Sequence, residues 1–288
     1  MLTIVDITEE SREQYSNIVP AQYLSDIGRE YFRGIAGLDN NTQEPIAAVI
    51  WEVHNLNKED VPNQAEIHWF STQNEEDADF LLQAFDCGII NEDVQSTVFE
   101  LEKLRDYEIS VFEKAGFVTK NTEGIDILVT VEEVGKLDIA KKKAKDYVVS
   151  LSEVSSFQFM AGIMNSAYRG NYGLLEDLPF LPMSRYDQKT SCCVTADNNV
   201  TGLLLVYLMM PELYRVELLS SEKLDGAINV LNMLRFSIQA AQKSCKPTDK
   251  VLIRRHNRTV TDLCKKLFPG KKGKQVIRGI RMSMMEGK

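Results

Sequence analysis

The chain has 288 residues, of which 44% are hydrophobic and 26% are charged, and its net charge at pH 7 is −9. This composition is ordinary for a globular protein, and the length predicts about two domains of ~100–200 residues each. No apolar run approaches the ~20 residues that span a bilayer, and the start, MLTIVDITEESREQY, lacks the features of a signal peptide. We therefore expect no membrane partner.

The five cysteines show no CxxC spacing, and the three histidines, at 54, 68 and 256, do not cluster in the sequence. Metal-binding motifs depend on such spacings, so the sequence predicts no metal site. Scattered, odd-numbered thiols are typical of a reducing compartment, and we expect a cytoplasmic protein.

The first half of the chain predicts strands and helices in alternation, with turn residues between them. In chain order, the predicted elements are a strand at LTIVDIT, a helix across EESREQYSNIVPAQYLSDIGREYF interrupted at Pro20, two strands around DNNTQEP, a strand at AEIHWFST, a helix from NEEDADFLLQAF, a strand at STVFELEK, a helix at LRDYEISVFEKAG, and a closing strand pair at FVTK and IDILVTVEEV.

The second half repeats this order more loosely. It predicts a strand at YVVSLS, a helix at SSFQFMAGIMNSAY, a long connection, two strands around ADNN, a strand at LYRVELLSS, a helix from LDGAINVLNMLRFSIQAAQ, a strand at DKVLIRR, a helix at NRTVTDLCKKLF and a strand at QVIRGIRMSM. Such alternation around an antiparallel meander predicts a mixed sheet with helices packed on it, an α/β (α+β) fold.

A charged segment, GKLDIAKKKAKDY, separates the two halves. We predict domains at 1–135 and 146–288, joined by a linker at 136–145. The charge is unevenly divided: up to Lys145 there are 13 basic and 29 acidic residues, and from Asp146 onward 20 and 13. Only the second half is therefore suited to attract a polyanion.

Two segments with the same design indicate a duplication. FEKAGF (112–117) and CKKLFP (264–269) each end a predicted helix, and each is followed by a strand. FEKAGF and the order of elements resemble the GNAT acyltransferase family, so the chain resembles a tandem GNAT protein. The resemblance implies two GNAT-like domains, with acetyl-CoA as co-substrate and an amine as acceptor.

The family's acyl-CoA loop, which holds the pyrophosphate at a helix N-terminus, is degenerate here. In the first half it corresponds to QNEEDA (73–78), where three carboxylates would repel phosphates, so we expect no CoA there. In the second half EKLDGAIN supplies Lys223, Gly226 and Ala227, although an ordinary Asp-Gly turn before a helix explains it equally well. Asn257 matches the family's asparagine spacing.

The resemblance also implies catalytic positions. Phe112 replaces the tyrosine that often acts as general acid, and Cys264 occupies the matching position in the second copy. The general base would be a glutamate on the fourth strand, either Glu66, on one face with His68, or Glu217, on one face with Arg215. We expect Glu217 to be the base and Cys264 at best a weak acid, unless Arg215 neutralises Glu217 or Cys264 only packs in the core.

Residues 250–281 include eleven basic residues and one acidic residue, Asp262. This stretch could hold the CoA 3′-phosphate, bind nucleic acid, or form a basic face docked on the acidic first half, and we favour the last. Nucleic acid is not an expected partner, because the chain as a whole is acidic and no regular interleaving of aromatic and basic residues supports base stacking.

The sequence thus favours an acyl-CoA-dependent N-acyltransferase with a degenerate N-terminal copy and its CoA site in the C-terminal copy. The acceptor would be a small amine, and the acidic first half favours a cationic one. The alternative is a catalytically inactive pair of GNAT-like folds that acts as an interaction or ligand-sensing module.

Overall fold

The computed structural model describes residues 2–54, 62–168, 181–221, 226–255 and 258–283. The chain forms two compact units, each treated separately below. The N-terminal unit comprises Met1–Gly124 together with Lys274–Lys288, and the C-terminal unit comprises Ile125–Gly273. These bounds differ from the predicted domains at 1–135 and 146–288, because the last segment of the chain belongs to the first unit.

Among its described residues, the N-terminal unit contains seven strands and three α-helices in nearly the predicted order. Its strands are β1 (Leu2–Asp6), β2 (Phe32–Asp39), β3 (Pro45–His54), β4 (Asn63–Ser71), β5 (Val94–Leu101), β6 (Val118–Glu123) and the chain's last strand, β13 (Gln275–Met282). Its α-helices are α1 (Ala21–Leu24), α2 (Glu75–Ile89) and α3 (Asp106–Lys114).

The C-terminal unit has a similar arrangement, with six strands and four α-helices among its described residues. Its strands are β7 (Asp126–Thr130), β8 (Val148–Ser150), β9 (Cys192–Ala196), β10 (Asn199–Met210), β11 (Leu213–Ser221) and β12 (Lys250–Arg254). Its α-helices are α4 (Val131–Gly135), α5 (Ser156–Tyr168), α6 (Gly226–Ser244) and α7 (Arg258–Leu267). None of the helices in the described ranges is long and apolar enough to cross a membrane.

Each unit is built on one mixed sheet, and one strand of each sheet is supplied from the other half of the sequence: β13 lies between β5 and β6, and β7 lies at one edge next to β12. The seven-stranded sheet has the order β1-β2-β3-β4-β5-β13-β6, and the six-stranded sheet has the order β7-β12-β11-β10-β9-β8. In the first sheet the strands on either side of α2 in the sequence, β4 and β5, pair in parallel. In the second sheet the strands on either side of α6, β11 and β12, do the same. The fold class, a mixed α/β sheet present twice, is as predicted.

The predicted closing strand pair at FVTK and IDILVTVEEV is wrong. β6 pairs with β13, whereas β7 pairs with β12 in the other sheet. The strand in IDILVTVEEV also ends early, because Thr130 and Glu133 form a capping box that starts α4: Glu133 N–H donates to Thr130 Oγ1 at 3.1 Å, and Thr130 N–H donates to Glu133 Oε2 at 2.8 Å.

β13 fits its place through close packing and charge. Gly279 lies so near Phe99 that an added Cβ would come within 2.2 Å of the ring. Three basic residues of this segment pair with acidic residues of the N-terminal unit: Lys274 with Glu102, Arg278 with Glu100, and Arg281 with Asp86. The interpretation of the basic stretch as a face docked on acidic residues is therefore confirmed for this strand.

The helix predicted before β2 is mostly absent. The structure has only a 3₁₀ turn at Arg12–Tyr15 and the single turn of α1. The segment instead folds as a compact cover over one face of the sheet, where Tyr15, Val19, Leu24 and Ile27 are buried against Ile50. The opposite face packs against α2 and α3. Burial by an irregular segment thus overrides the helical spacing.

The predicted linker packs on the C-terminal unit. A 3₁₀ turn at Asp138–Lys141 lies against α6, and Gln239 Nε2 donates to the carbonyl oxygens of Ala140 and Lys142, each at 2.9 Å. The segment therefore lies inside the C-terminal unit.

Candidate active site

In the C-terminal unit, the parallel strands β11 and β12 separate halfway along their length. Their pairing runs from Leu213 and Lys250 to Val216 and Ile253, and β11 then continues to Ser221. On its other side β11 contains a β-bulge: Val206 pairs with Val216 and Leu205 with Leu218, which leaves Glu217 as the extra residue. Bulges next to active sites redirect a side chain. Glu217 thus lies at the point where the strands separate.

A largely apolar cavity of about 110 Å³ opens at this point. Its walls come from β10, β11, β12, α4, α6 and α7, and they include both predicted catalytic residues, Glu217 and Cys264. A water molecule needs only ~10–15 Å³ of such space, so the cavity can admit a chain of several atoms. The structure therefore brings together the two residues that the sequence had selected separately.

The Glu217 carboxylate is fully buried and has two different oxygens. Oε1 accepts a hydrogen bond from Arg215 and lies 3.7 Å from a guanidinium nitrogen of Arg185. Oε2 is buried and accepts no hydrogen bond from the described residues. A buried polar atom without a hydrogen bond lowers the stability of the fold. Such atoms recur in functional sites, where a bound ligand supplies the missing hydrogen bond.

The arginines beside Glu217 are themselves fixed. The guanidinium carbon of Arg185 lies 3.9 Å from the ring centre of Tyr207, and that of Arg215 lies 5.6 Å from it. The predicted same-face contact between Arg215 and Glu217 is therefore present, but it occupies Oε1 and leaves Oε2 available. The sequence analysis missed Arg185, because it lies within the long connection, which carries no periodic pattern.

Cys264 is buried on α7 and lines the cavity. Burial raises the pKa of its thiol, and the positive charge of Arg255 only partly opposes this effect. A thiol with a raised pKa stays protonated but gives up its proton reluctantly. The geometry is thus compatible with a proton donor, while the electrostatics favour a packing role.

The predicted CoA-binding residues are only partly described. Gly226 and Ala227 form the first turn of α6, which contains no acidic residue. A Cβ placed on Gly226 would have no atom closer than 4.0 Å, so packing by the described residues does not demand a glycine there. Lys223 and Asn257 lie outside the described residues.

The corresponding helix of the N-terminal unit begins very differently. Asn74 caps α2 by accepting a hydrogen bond from the Asp77 N–H at 2.9 Å, and its amide donates to the Asp77 carboxylate at 2.7 Å. Glu75 in the same turn pairs with Lys114 at 2.5 Å. The N-terminus of α2 is therefore capped by Asn74, and its first turn carries the three acidic side chains of QNEEDA.

Phe112 is a core residue of the N-terminal unit. It is fully buried, with ring centres at 4.8 Å from Phe70, 4.4 Å from Phe99 and 5.2 Å from Phe117. The position that the family resemblance assigns to a general acid is thus filled by an aromatic cluster that has no proton to donate.

β4 repeats the bulge of β11 with a different residue. Trp51 pairs with Ile67 and Ile50 with Trp69, so His68 is the extra residue, and the pairing with β5 ends at Ile67 and Phe99. His68 Nε2 lies 3.2 Å from Glu52 Oε2, and His68 Nδ1 lies 3.7 Å from Glu66 Oε1. His68 therefore occupies the place of Glu217 and is held by carboxylates.

Three further charged or titratable residues, Asp26, Arg29 and His54, join this cluster. Arg29 lies 3.5 Å from Asp26 and 3.4 Å from Glu52, and His54 Nε2 lies 3.1 Å from Glu66 Oε2. Burial alone would raise the pKa of Glu52, but the hydrogen bond from His68 and the charges of His54 and Arg29 together lower it below its usual value.

Sequence reasoning selected Glu66 and His68 but missed the rest of this cluster, and its statement that the histidines do not cluster is wrong for His54 and His68. A signal was present: Glu-x-His occurs in both strands of the hairpin, as Glu52-Val53-His54 and as Glu66-Ile67-His68. Only the register, which pairs Glu52 with Glu66, brings the two motifs together.

Comparisons with known proteins identify this architecture through structure alone, since no family model matches the sequence and no curated protein matches it significantly. A tandem GNAT protein from the clavulanic acid biosynthesis pathway superposes with a TM-score of 0.61 at 9% identity, covering 98% of both chains. A GCN5-related N-acetyltransferase from Sphaerobacter thermophilus gives 0.56 at 9% identity, covering 98% of this chain and 95% of that one. One from Anabaena variabilis gives 0.51 at 14% identity, covering 98% and 73%.

Proposed function

We propose that this chain, which has the tandem GNAT fold, transfers an acyl group from acyl-CoA to an amine, with the acyl-CoA site in its C-terminal unit. One observation carries the proposal. The buried Oε2 of Glu217 accepts no hydrogen bond from the described residues, and Glu217 lines an apolar cavity at the point where β11 and β12 separate.

Glu217 is the proposed general base. Arg215 and Arg185 hold its Oε1, which orients the carboxylate and leaves Oε2 to take a proton from the ammonium before attack, or from the amine nitrogen as it attacks. A positioned base of this kind typically contributes ~10²–10⁴-fold in rate. Cys264 is the nearest candidate for the group that returns a proton to the departing thiolate, although its raised pKa makes it a weak one.

Acetyl-CoA is the proposed co-substrate, and the described residues fit it in two ways. The cavity is apolar, as the pantetheine arm requires. The first turn of α6, with Gly226 and Ala227, carries no acidic side chain, so its N–H groups can receive phosphate oxygens. Lys223 and Asn257 are the further residues we assign to this co-substrate from the sequence.

A small amine is the proposed acceptor, and a cationic one is favoured by the charge of the chain. The N-terminal unit has 12 basic and 26 acidic residues, whereas the C-terminal unit has 21 and 16. The C-terminal unit can thus attract CoA while the chain as a whole attracts cations.

All five cysteines are free thiols, which supports the proposal of a cytoplasmic location.

The test is a CoA-release assay with acetyl-CoA and a panel of amines, including polyamines. We expect turnover with at least one amine, and its loss in Glu217→Gln. The matched control is Glu212→Gln, which changes an exposed carboxylate just before the same strand. If no amine is turned over and acetyl-CoA does not raise the unfolding temperature, the acyltransferase proposal fails, and the interaction or ligand-sensing module takes its place.

A further inference from the structure

The hairpin of β3 and β4 assembles two imidazoles and a carboxylate at one point of the N-terminal unit. Glu52 and His54 lie two residues apart on β3, and His68 is the bulged residue of β4. One possible ligand atom from each of these three side chains lies within 4.8 Å of the others. The sequence alone predicted no metal site; the strand register is what creates this arrangement.

The spacing is close to that of a metal centre. A tetrahedral ion with bonds of ~2.0–2.1 Å holds its ligand atoms ~3.3–3.4 Å apart. His68 Nε2 and Glu52 Oε2, at 3.2 Å, already have this separation. The longest separation must close by about 1.4 Å for tetrahedral geometry. His54 is only half-buried, so its imidazole has room for such a movement.

Outer partners hold the possible ligands in place, as they do in metal sites. Glu66 lies 3.1 Å from His54 Nε2 and 3.7 Å from His68 Nδ1, so one carboxylate contacts both imidazoles. The second oxygen of Glu52 lies 3.4 Å from Arg29. The ring of Phe32 stacks on His68 with 5.3 Å between ring centres.

The charge of the cluster favours a divalent cation. Asp26, Glu52 and Glu66 are acidic, and Arg29 is the one basic residue among the six polar side chains that the cluster comprises. With neutral imidazoles, which metal binding requires, these six side chains carry a net charge of −2. Arg29 is offset by Asp26 at 3.5 Å and so does not leave an excess positive charge beside the site.

We propose that Glu52, His54 and His68 bind a first-row divalent transition-metal ion, with Glu66 as the residue that orients both imidazoles. Two imidazoles and one carboxylate are ligands suited to Zn²⁺ and its neighbours in the first row, whereas Mg²⁺ and Ca²⁺ prefer all-oxygen sites. Three protein ligands leave one position of a tetrahedral ion open to water or another ligand. The proposal does not depend on acyl transfer in the C-terminal unit.

The experiment is isothermal titration of the full chain, stripped with a chelator, with Zn²⁺. We expect one site per chain in the wild type, and at least tenfold weaker binding in His54→Ala. This variant changes a half-buried side chain and should fold, which circular dichroism checks. Glu66→Gln should weaken binding by about tenfold, the lower end for outer partners of metal ligands.

Cys87→Ser is the matched control, because Cys87 is an exposed thiol that could bind Zn²⁺ on its own. It should titrate as the wild type does, and the near-ultraviolet spectrum of the Co²⁺-loaded wild-type chain should lack thiolate charge-transfer bands. The proposal is overturned if the wild type shows no saturable Zn²⁺ binding up to millimolar concentrations. It is equally overturned if His54→Ala binds as the wild type does, or if Cys87→Ser abolishes the site.

Discussion

The bulge on β4 and the bulge on β11 place different side chains at the same point of two similar sheets. Both lie where two parallel strands separate, but one presents His68 and the other Glu217. Around His68 the polar atoms are satisfied by Glu52 and Glu66. Around Glu217 one carboxylate oxygen remains without a hydrogen bond from the described residues. The backbone is duplicated, whereas the chemistry is set by single residues at the bulge.

The helices next to the two bulges differ in the same direction. α2 opens with Glu75, Glu76 and Asp77, and Asn74 caps it, whereas the first turn of α6 contains no acidic residue. Because a helix N-terminus attracts anions, the described first turn of α6 opposes a phosphate less than that of α2 does, although Asp225 directly precedes α6 in the sequence.

The largest expected effect tests which bulge is catalytic. Glu217→Gln should lower kcat/KM by about 10²–10⁴-fold, because the amide cannot accept the proton at the reacting nitrogen. CoA release is the measurement, and Glu212→Gln is the control for a lost surface charge. Loss of activity in Glu66→Gln with full activity in Glu217→Gln would place the active site in the N-terminal unit.

The next effect compares two equivalent helix positions. Phe112→Ala should lower the free energy of unfolding by ~3–5 kcal/mol, since it empties the centre of an aromatic cluster. Cys264→Ala removes one sulfur-sized group and should cost about 1 kcal/mol. Urea denaturation measures both. Equal losses would mean that Phe112 is not the core residue that its burial indicates.

A third effect tests the exchange of strands between the halves of the sequence. Gly279→Ala should destabilise the protein by ~1–3 kcal/mol, because the new Cβ would overlap Phe99 unless β13 shifts. Gln275→Ala, at an exposed position of the same strand, is the control. Urea denaturation measures the free energy of unfolding of both variants. Equal values would contradict the packing of β13 against β5.

The smallest effect concerns thiols. Burial raises the pKa of Cys193 to about 12, so its protonated form stabilises the fold fully below its ordinary pKa of 9.0, and this contribution is lost as the pH rises towards 12. At pH 8 a maleimide should label exposed Cys87 quickly, and Cys192 and Cys193 only after unfolding. Peptide mass spectrometry measures the order in which the cysteines are labelled. Rapid labelling of Cys193 in the native protein would contradict its burial.

The sequence predicted most elements and both residues of the candidate site, because Glu217 and Cys264 lie on strongly patterned segments. It could not predict that β7 and β13 join the sheets of opposite halves, because strand pairing over such distances leaves no local periodicity. It also missed the partners Arg185, Arg29 and Glu52. Their role comes from register and from loops, which propensity does not determine.

The central claim is that acyl-CoA binds one of the two copies. Hydrogen exchange of the full chain, with and without saturating acetyl-CoA, tests it directly, because amides that receive phosphate or pack against the ligand exchange more slowly. We predict slower exchange in β11, β12 and the first turns of α6, with no change across residues 73–89. Slower exchange at the N-terminus of α2, alone or together with α6, would contradict the account.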